Sequence, residues 1–288
     1  MTVREYLTPR SLPEAIGMLE RHGPDLLVMA GGTLVMPLVN EGISLPEKVM
    51  SLRGAGLDGI VAGDGVLRIG AVATLTQLLA QDAVPLLRDA ARNTASWPVR
   101  NMATVGGNLF TPPPGGDVAV ALLALDASVR LAGPRGERVL PLSEFYTGFM
   151  ANALAMDELL VGIDVPMAAR ETAFLKFGRR HANTPAVVTV AIALRRGDAG
   201  RVADPRLALG AVGPHPIRAA RAEAALAGSA LEPDTIDRAM EAAADECEPF
   251  TDAVATAWYR RRMVRVFVRR ALEQIAGSGP TAADGSAQ

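Results

Sequence analysis

The chain has 288 residues, 49% hydrophobic and 21% charged, which supplies a sizeable core and length for two or three subdomains. A formal net charge of −2 argues against a nucleic-acid or membrane partner recruited by bulk charge, and no apolar stretch reaches the ~18 to 20 residues of a membrane span. Cys247 is the only cysteine, so an internal disulfide is impossible and a cysteine-ligated iron–sulfur cluster, which needs about four thiolates, is excluded within this chain.

In chain order, SLPEAIGMLERHG predicts a short amphipathic helix, with Ser11 as cap, Pro13 in its first turn and Ala15, Ile16 and Leu19 on one face. DLLVMA is a buried strand, TLVMPLVNEG a helix opened by Thr33, and EKVMSL another strand. DGIVAGDGVLRIGA carries two apolar runs across Gly-Asp-Gly, a hairpin signal. Thr74 and Thr76 are candidate caps for a helix through TLTQLLAQ, and Pro85 begins a second through VPLLRDAARNTA. SWPVRNMATVGGNLFTPPPGGD is read as a long ordered loop, being rich in Gly and Pro and without periodicity. VAVALLALDASVRL resumes as buried helix and strand, and RGERVLPLSEFY closes a hairpin.

After about residue 166, FLKFGRR, AVVTVAIALRR and DPRLALGAVG are strands with arginine-rich edges, and the rest is alanine-rich helix. In AWYRRRMVRVFVRRALEQI, Val264, Phe267, Val268, Ala271, Leu272 and Ile275 form an apolar stripe. Arg261, Arg265 and Arg269 line another face, read first as solvated and second as a docking surface. The boundaries expected from this pass are 1–55, 56–166 and 167–276, with a disordered tail over 277–288. The N-terminus MTVREYLTPR is charged where a secretory signal would be apolar, so a cytoplasmic location is expected. His22, His181 and His215 are scattered without metal-ligand spacing, and no metal ligand is nominated.

Three adjacent Gly pairs occur, Gly31-Gly32, Gly106-Gly107 and Gly115-Gly116, and roughly three are expected by chance from 28 Gly. Their surroundings carry the information. MAGGTLVM places a pair between a strand and a helix, where backbone N–H groups without a Cβ in the way can meet a phosphate; a plain tight turn is the competing reading. TVGGN repeats the design with a hydroxyl, two glycines and an amide side chain. Neither loop matches G-x-G-x-x-G or G-x-x-x-x-G-K-[ST].

AGGT followed by Pro37, then RNMATVGGNL, then Asp117 ahead of ALLALDA, resembles the FAD-binding medium subunit of molybdenum hydroxylases, the flavin chains of the xanthine dehydrogenase and aerobic carbon monoxide dehydrogenase type. YLTPRSLPEAIGMLERHG resembles that family's opening helix, FLKFGRR the start of its C-terminal domain, and RLALGAVGPHPIRAARAEAALAG a further signature, so the resemblance runs from about residue 3 to 275. It implies an α+β fold: a p-cresol methylhydroxylase-type FAD-binding domain of two α/β subdomains, plus a C-terminal α/β domain of the carbon monoxide dehydrogenase flavoprotein type. Carried over, Ala30, Gly31, Gly32 and Thr33 hold the pyrophosphate, and Thr104, Gly106, Gly107 and Asn108 form the second wall. Asp117 bonds ribityl hydroxyls, a helix N-cap being its structural alternative. Met29, Leu34, Val35, Ala95, Ala103 and Pro185 complete the implied cofactor-binding set.

The chain departs from the family pattern in places. Leu34 stands where an acidic residue is usual, Pro98 and Val99 replace glutamine and isoleucine, and Thr184-Pro185 replaces an aspartate and a large apolar residue beside the flavin ring. The resemblance implies FAD here, with two iron–sulfur clusters in a small partner subunit and the molybdenum cofactor in a large one, assembled as a dimer of heterotrimers. Electrons then pass from the clusters through FAD to an external acceptor, and no catalytic acid or base is nominated in this chain. Two other readings stay open: a flavin-free interaction or assembly protein on the same fold, and a self-contained flavin oxidoreductase.

Overall fold

The computed structural model describes residues 3–180 and 183–277. His181 and the tail expected beyond Gly277 lie outside the described residues. Strand β1 (Glu5–Leu7) is followed by α1 (Leu12–His22), β2 (Leu26–Met29), α2 (Val35–Asn40) and β3 (Lys48–Ser51). These strands form a parallel sheet in the order β1-β3-β2, and the two helices are the crossovers that parallel pairing requires. The Ser11 hydroxyl accepts from the Glu14 N–H at 3.3 Å and caps α1 as predicted. Helix α2 differs from expectation: it starts at Val35, with Leu34 at the cap and no side-chain cap bond. Thr33 is spent instead on the turn leaving β2, where Gly32 has a φ of +74°.

Hairpin β4 (Ile60–Gly63) and β5 (Val66–Gly70) turns through Asp64 and Gly65, both at positive φ. Helices α3 (Leu75–Leu79) and α4 (Pro85–Asn93) follow. Thr74 caps α3 reciprocally with Gln77, whereas the Thr76 hydroxyl bonds Asn101. The segment expected to be one long loop holds two short helices, α5 (Trp97–Arg100) and α6 (Val105–Leu109). Each is little more than one turn, too short to show a 3.6-residue period. Then come α7 (Asp117–Ala124), β6 (Ser128–Gly133), β7 (Gly136–Pro141), α8 (Leu142–Phe145), the small pair β8 (Tyr146–Gly148) and β9 (Ala151–Asn152), and β10 (Leu159–Pro166). The antiparallel sheet they complete has the order β4-β5-β10-β6-β7.

The last part is an antiparallel sheet in chain order, β11 (Glu171–Gly178), β12 (Ala186–Arg196), β13 (Val202–Gly210) and β14 (Ile217–Arg218), with α9 (Ala220–Leu226), α10 (Pro233–Asp245) and α11 (Ala257–Gly277). Strand β12 is buried on both faces, and its period of two sorts the side chains. Val188, Val190, Ile192 and Leu194 share a core with α9, α10 and α11, while Ala191 and Ala193 join the core around α7. All eight residues of α7 are buried, which fits a helix apolar all round. Small residues let it approach the sheet closely: a Cβ on Gly210 would stand 2.5 Å from a methyl of Val120.

On α11 the predicted apolar stripe is buried. Its basic face is neither simply solvated nor free for docking, since Arg265 and Arg269 pair with Glu241 and Asp237 of α10 and Arg261 donates to the Cys247 carbonyl.

The segment entering β10 is pinned by Glu158. Its carboxylate accepts from Arg138 of β7 at 2.8 and 2.7 Å and from the Ala155 N–H at 2.9 Å. The Arg138 bonds hold this carboxyl at about 2, against an ordinary value of 4.5. A depressed acid stabilises the folded state fully above its unfolded value and loses that contribution as the pH falls toward its folded one. The stability deficit of Glu158→Gln, measured by denaturant unfolding, should therefore be full near neutral pH and shrink between about 4.5 and about 2. A deficit unchanged across that window would show that the charge is not what stabilises this segment.

Candidate functional site

The first glycine loop leaves β2 and reaches α2 through Gly31 to Leu34. A Cβ on Gly31 would lie 1.9 Å from the Met102 carbonyl oxygen, so this glycine exists for a backbone-to-backbone contact with the α5–α6 segment. Gly32 is required by its φ of +74°, and Met29 lies beneath it, its sulfur 3.2 Å from where a Cβ would stand. Among the described residues, the N–H groups of Gly31, Gly32, Thr33, Leu34 and Val35 donate to no protein acceptor.

The second loop is built differently, although the sequence makes the two look alike. Val105, Gly106 and Gly107 donate their N–H groups to the Ala73 carbonyl, the Ala71 carbonyl and the Thr104 hydroxyl at 2.8, 2.9 and 3.0 Å. Asn108 donates its N–H to the Thr104 carbonyl. Gly106 is needed because a Cβ there would press to 2.6 Å from the Ala71 oxygen. What this loop offers a ligand is side chains. Asn108 accepts the Ala119 N–H on Oδ1 at 3.1 Å, which fixes the amide orientation and leaves its NH2 without a protein partner among the described residues.

Between the loops lies a cavity of about 650 Å³, in the size range of small-molecule sites. Fourteen of the residues implied by the resemblance line it: Ala30, Gly31, Gly32, Thr33, Leu34, Val35, Ala95, Ala103, Thr104, Gly106, Gly107, Asn108, Asp117 and Pro185. Met29 does not, being packed below Gly32. Val72, Leu75, Val99 and Leu160 give the walls an apolar character, and Thr184 is at the rim beside Pro185. Ala95 has a φ of +54°, and Arg100 binds that bend by donating to the carbonyls of Thr94 and Ala95 at 3.0 and 2.9 Å.

Asp117 is not a helix cap. Gly116, at a φ of 83°, holds the cap position of α7, and Asp117 is the first helical residue. Its carboxylate accepts from the Lys176 ammonium at 2.6 Å and from the Thr189 hydroxyl at 2.8 Å. Lys176 and Thr189 are directly opposed on β11 and β12, so one cross-strand pair supplies both donors. The side chains of Lys176 and Asp117 are only 8% and 7% exposed. Sequence reasoning missed Lys176, Arg100 and Glu158. For Lys176 a signal existed, since Lys48 is the only other lysine in the chain.

These features suit a dinucleotide cofactor: unpaired N–H donors in a loop without Cβ atoms for phosphate, hydroxyl and amide groups beside them, and an apolar chamber for an aromatic ring. Asp117 and Glu158 are the only acids lining the cavity among the described residues, and both are ion-paired.

Comparison with known proteins agrees with this geometry. Residues 2–168 match the family described as FAD binding domain in molybdopterin dehydrogenase, and residues 173–275 match the CO dehydrogenase flavoprotein C-terminal domain. The carbon monoxide dehydrogenase medium chain of Hydrogenophaga pseudoflava is 32% identical, over 93% of this chain and 95% of the relative. A xanthine dehydrogenase FAD-binding subunit of Escherichia coli is 30% identical, over 95% and 97%. In the solved structure of reconstituted CO dehydrogenase from Oligotropha carboxidovorans, one chain superposes with a TM-score of 0.91 at 30% identity, covering 95% of this chain and 97% of that one.

Two substitutions probe the site. Gly31→Ala drives a methyl into the Met102 backbone, which cannot swing away as a side chain would; the overpacking costs about 1 to 3 kcal/mol and should appear as FAD affinity reduced by roughly 5- to 150-fold. Unchanged flavin content at limiting FAD would mean the loop relaxes freely. Lys176→Met leaves the Asp117 carboxylate buried and unpaired, an expected loss of about 3 to 5 kcal/mol by denaturant unfolding. Adding Asp117→Asn should recover part of it, and a single-variant loss below about 1 kcal/mol would refute the clamp.

Proposed function

This chain belongs to the FAD-binding medium subunits of the molybdenum hydroxylases, an oxidoreductase family, and on that premise we propose that it is the electron outlet of a multi-subunit dehydrogenase. In this reading a small iron–sulfur subunit and a large molybdenum-cofactor subunit, arranged as a dimer of heterotrimers in the cytoplasm, oxidise the substrate and deliver electrons here. FAD, when bound here, would supply the exchange between one-electron and two-electron chemistry that such an outlet requires. The residues of this chain bind and orient it. The free N–H groups from Gly31 to Val35 hold the phosphates, with the Thr33 and Thr104 hydroxyls and the Asn108 amide beside them. Asp117 keeps lone pairs for ribityl hydroxyls in addition to the bonds from Lys176 and Thr189, and the pocket's apolar walls exclude water from the ring.

The observation that carries this reading is the pairing of both acids that line the cavity among the described residues. A flavoenzyme acting on its own organic substrate usually needs a free proton acceptor within reach. Here Asp117 is committed to Lys176 and Glu158 to Arg138, and among the described residues no histidine lines the cavity. Attachment of FAD is non-covalent in this reading, because Cys247 is buried in the core of the C-terminal sheet and helices, His22 bonds Lys48 and His215 stacks on Tyr146.

Docking of the iron–sulfur subunit is assigned to the surface after the second glycine loop. The sequence points to Leu109, Phe110 and the run Pro112 to Pro114, which follow that loop directly. Leu109 is buried, the three prolines are half-buried, and Phe110 is 40% exposed and lines the cavity as well, while Phe149 and Met150, which the sequence did not single out, are exposed. Expressed with its genomic neighbours, the chain should co-purify with iron and molybdenum, and its flavin should be reduced by the substrate of the complex. Expressed alone, it should bind FAD, release all of it on acid denaturation, and leave it oxidised when the same substrate is added. Reduction in the isolated metal-free chain, or colour retained by the denatured polypeptide, would overturn this assignment.

A further inference from the structure

Arg260, near the start of α11, is fully buried, with 0% of its surface exposed. A guanidinium cannot shed its charge, so its burial demands compensation. Its Nη1 donates to the carbonyls of Ala186, Val187 and Ala211 at 3.0, 2.9 and 3.0 Å, and its Nη2 to Asp252 at 2.7 Å. Its carbon Cζ lies 4.7 Å from the ring centroid of Phe250. The three carbonyls belong to the first residues of β12 and to the residue just after β13. Ala211 has a φ of +65°, rare outside glycine, and its carbonyl is one of the three that Arg260 binds.

We infer that Arg260 is a positioning residue for the cavity wall formed by Thr184 and Pro185, which rests on the reading of that cavity as the FAD site. Pro185 immediately precedes Ala186, so the carbonyls that Arg260 grips are the fixed end from which this wall projects. Beyond a bond from the Arg180 guanidinium to the Asn183 carbonyl at 2.9 Å, the wall has little else to hold it. Among the described residues no backbone N–H of Asn183 or Thr184 donates to protein, and the Thr184 hydroxyl bonds only the adjacent Pro185 carbonyl. Facing it, β11 shifts register between Phe177 and Gly178, and a Cβ on Gly178 would stand 2.4 Å from a methyl of Thr184. The strand gives way there to seat Thr184, and Arg260 sets the height at which it is seated. The same grip serves Thr189, which follows on β12 and donates to Asp117.

The test compares the parent full-length chain with Arg260→Lys and with Arg265→Met, a surface change on the same helix. Lysine keeps the charge and loses the planar fork that reaches three carbonyls and a carboxylate at once. Arg260→Lys should weaken FAD binding about tenfold or more, the scale of one lost charge-assisted hydrogen bond, and alter the visible circular dichroism of the bound flavin. Amide exchange of residues 186–190 should quicken by a similar factor while β10 stays protected. Arg265→Met should change neither reading. If Arg260→Lys fails to fold, Asp252→Asn takes its place, since it withdraws the counter-charge and leaves the guanidinium; the same changes are expected, smaller. Lower thermal stability with parent-like FAD affinity, dichroism and exchange would overturn the inference. A parent chain that binds no FAD would instead sink the cofactor reading, and the exchange measurement would still decide whether Arg260 holds the start of β12.

Discussion

The buried carboxylate of Asp117 is the constraint around which the two ends of the chain are arranged. A buried carboxylate at the first residue of a helix whose other side chains are all apolar must be met by donors, and no side chain of α7 supplies one. They come from the C-terminal sheet, as an opposed lysine and threonine on adjacent strands. That requirement fixes the face of the sheet turned toward α7. Once Thr189 points at Asp117, the period of two places Ala191 and Ala193 under the helix and sends Val188, Val190 and Ile192 into the other core. One polar interaction therefore determines which apolar residues meet which layer.

The two glycine loops look like copies and act as opposites. In the first, the glycines serve a close backbone contact and a left-handed turn, and among the described residues the N–H groups donate to no protein acceptor. In the second, the N–H groups are consumed by the chain at Ala71, Ala73 and Thr104, and the loop is a rigid strut that presents side chains. A phosphate-bearing ligand between the loops would meet unpaired N–H donors on one side and a braced wall on the other. Since Gly31 rests directly on Met102, the two sides cannot move independently.

Features with local causes were legible in the sequence. The cap at Ser11, the hairpin through Asp64-Gly65, the stripe on α11 and the family's spaced motifs all lie within a few residues of their own explanation. Helices α5 and α6 were not, because a single turn has no period to detect and its stability comes from what it packs on. Lys176 was missed for a related reason: a lone lysine in a strand has no pattern, and its meaning arises only when β11 is laid against β12. The symmetry read into the two glycine loops was misleading, since glycine reports missing side chains and not the direction of the N–H groups.

The span of chain closing the cavity sets the order of its assembly. Asp117 waits for a lysine 59 residues on and a threonine 72 residues on, and the Arg260 grip on Ala186 reaches across a further 74. Contacts this distant carry a loop-closure cost that local turns do not, so closing the chamber is the entropically expensive part of its assembly. During synthesis both glycine loops leave the ribosome well before the strands that complete the chamber. The cavity is thus a product of the finished chain, and truncations on the C-terminal side forfeit the site even though they spare every residue of both loops.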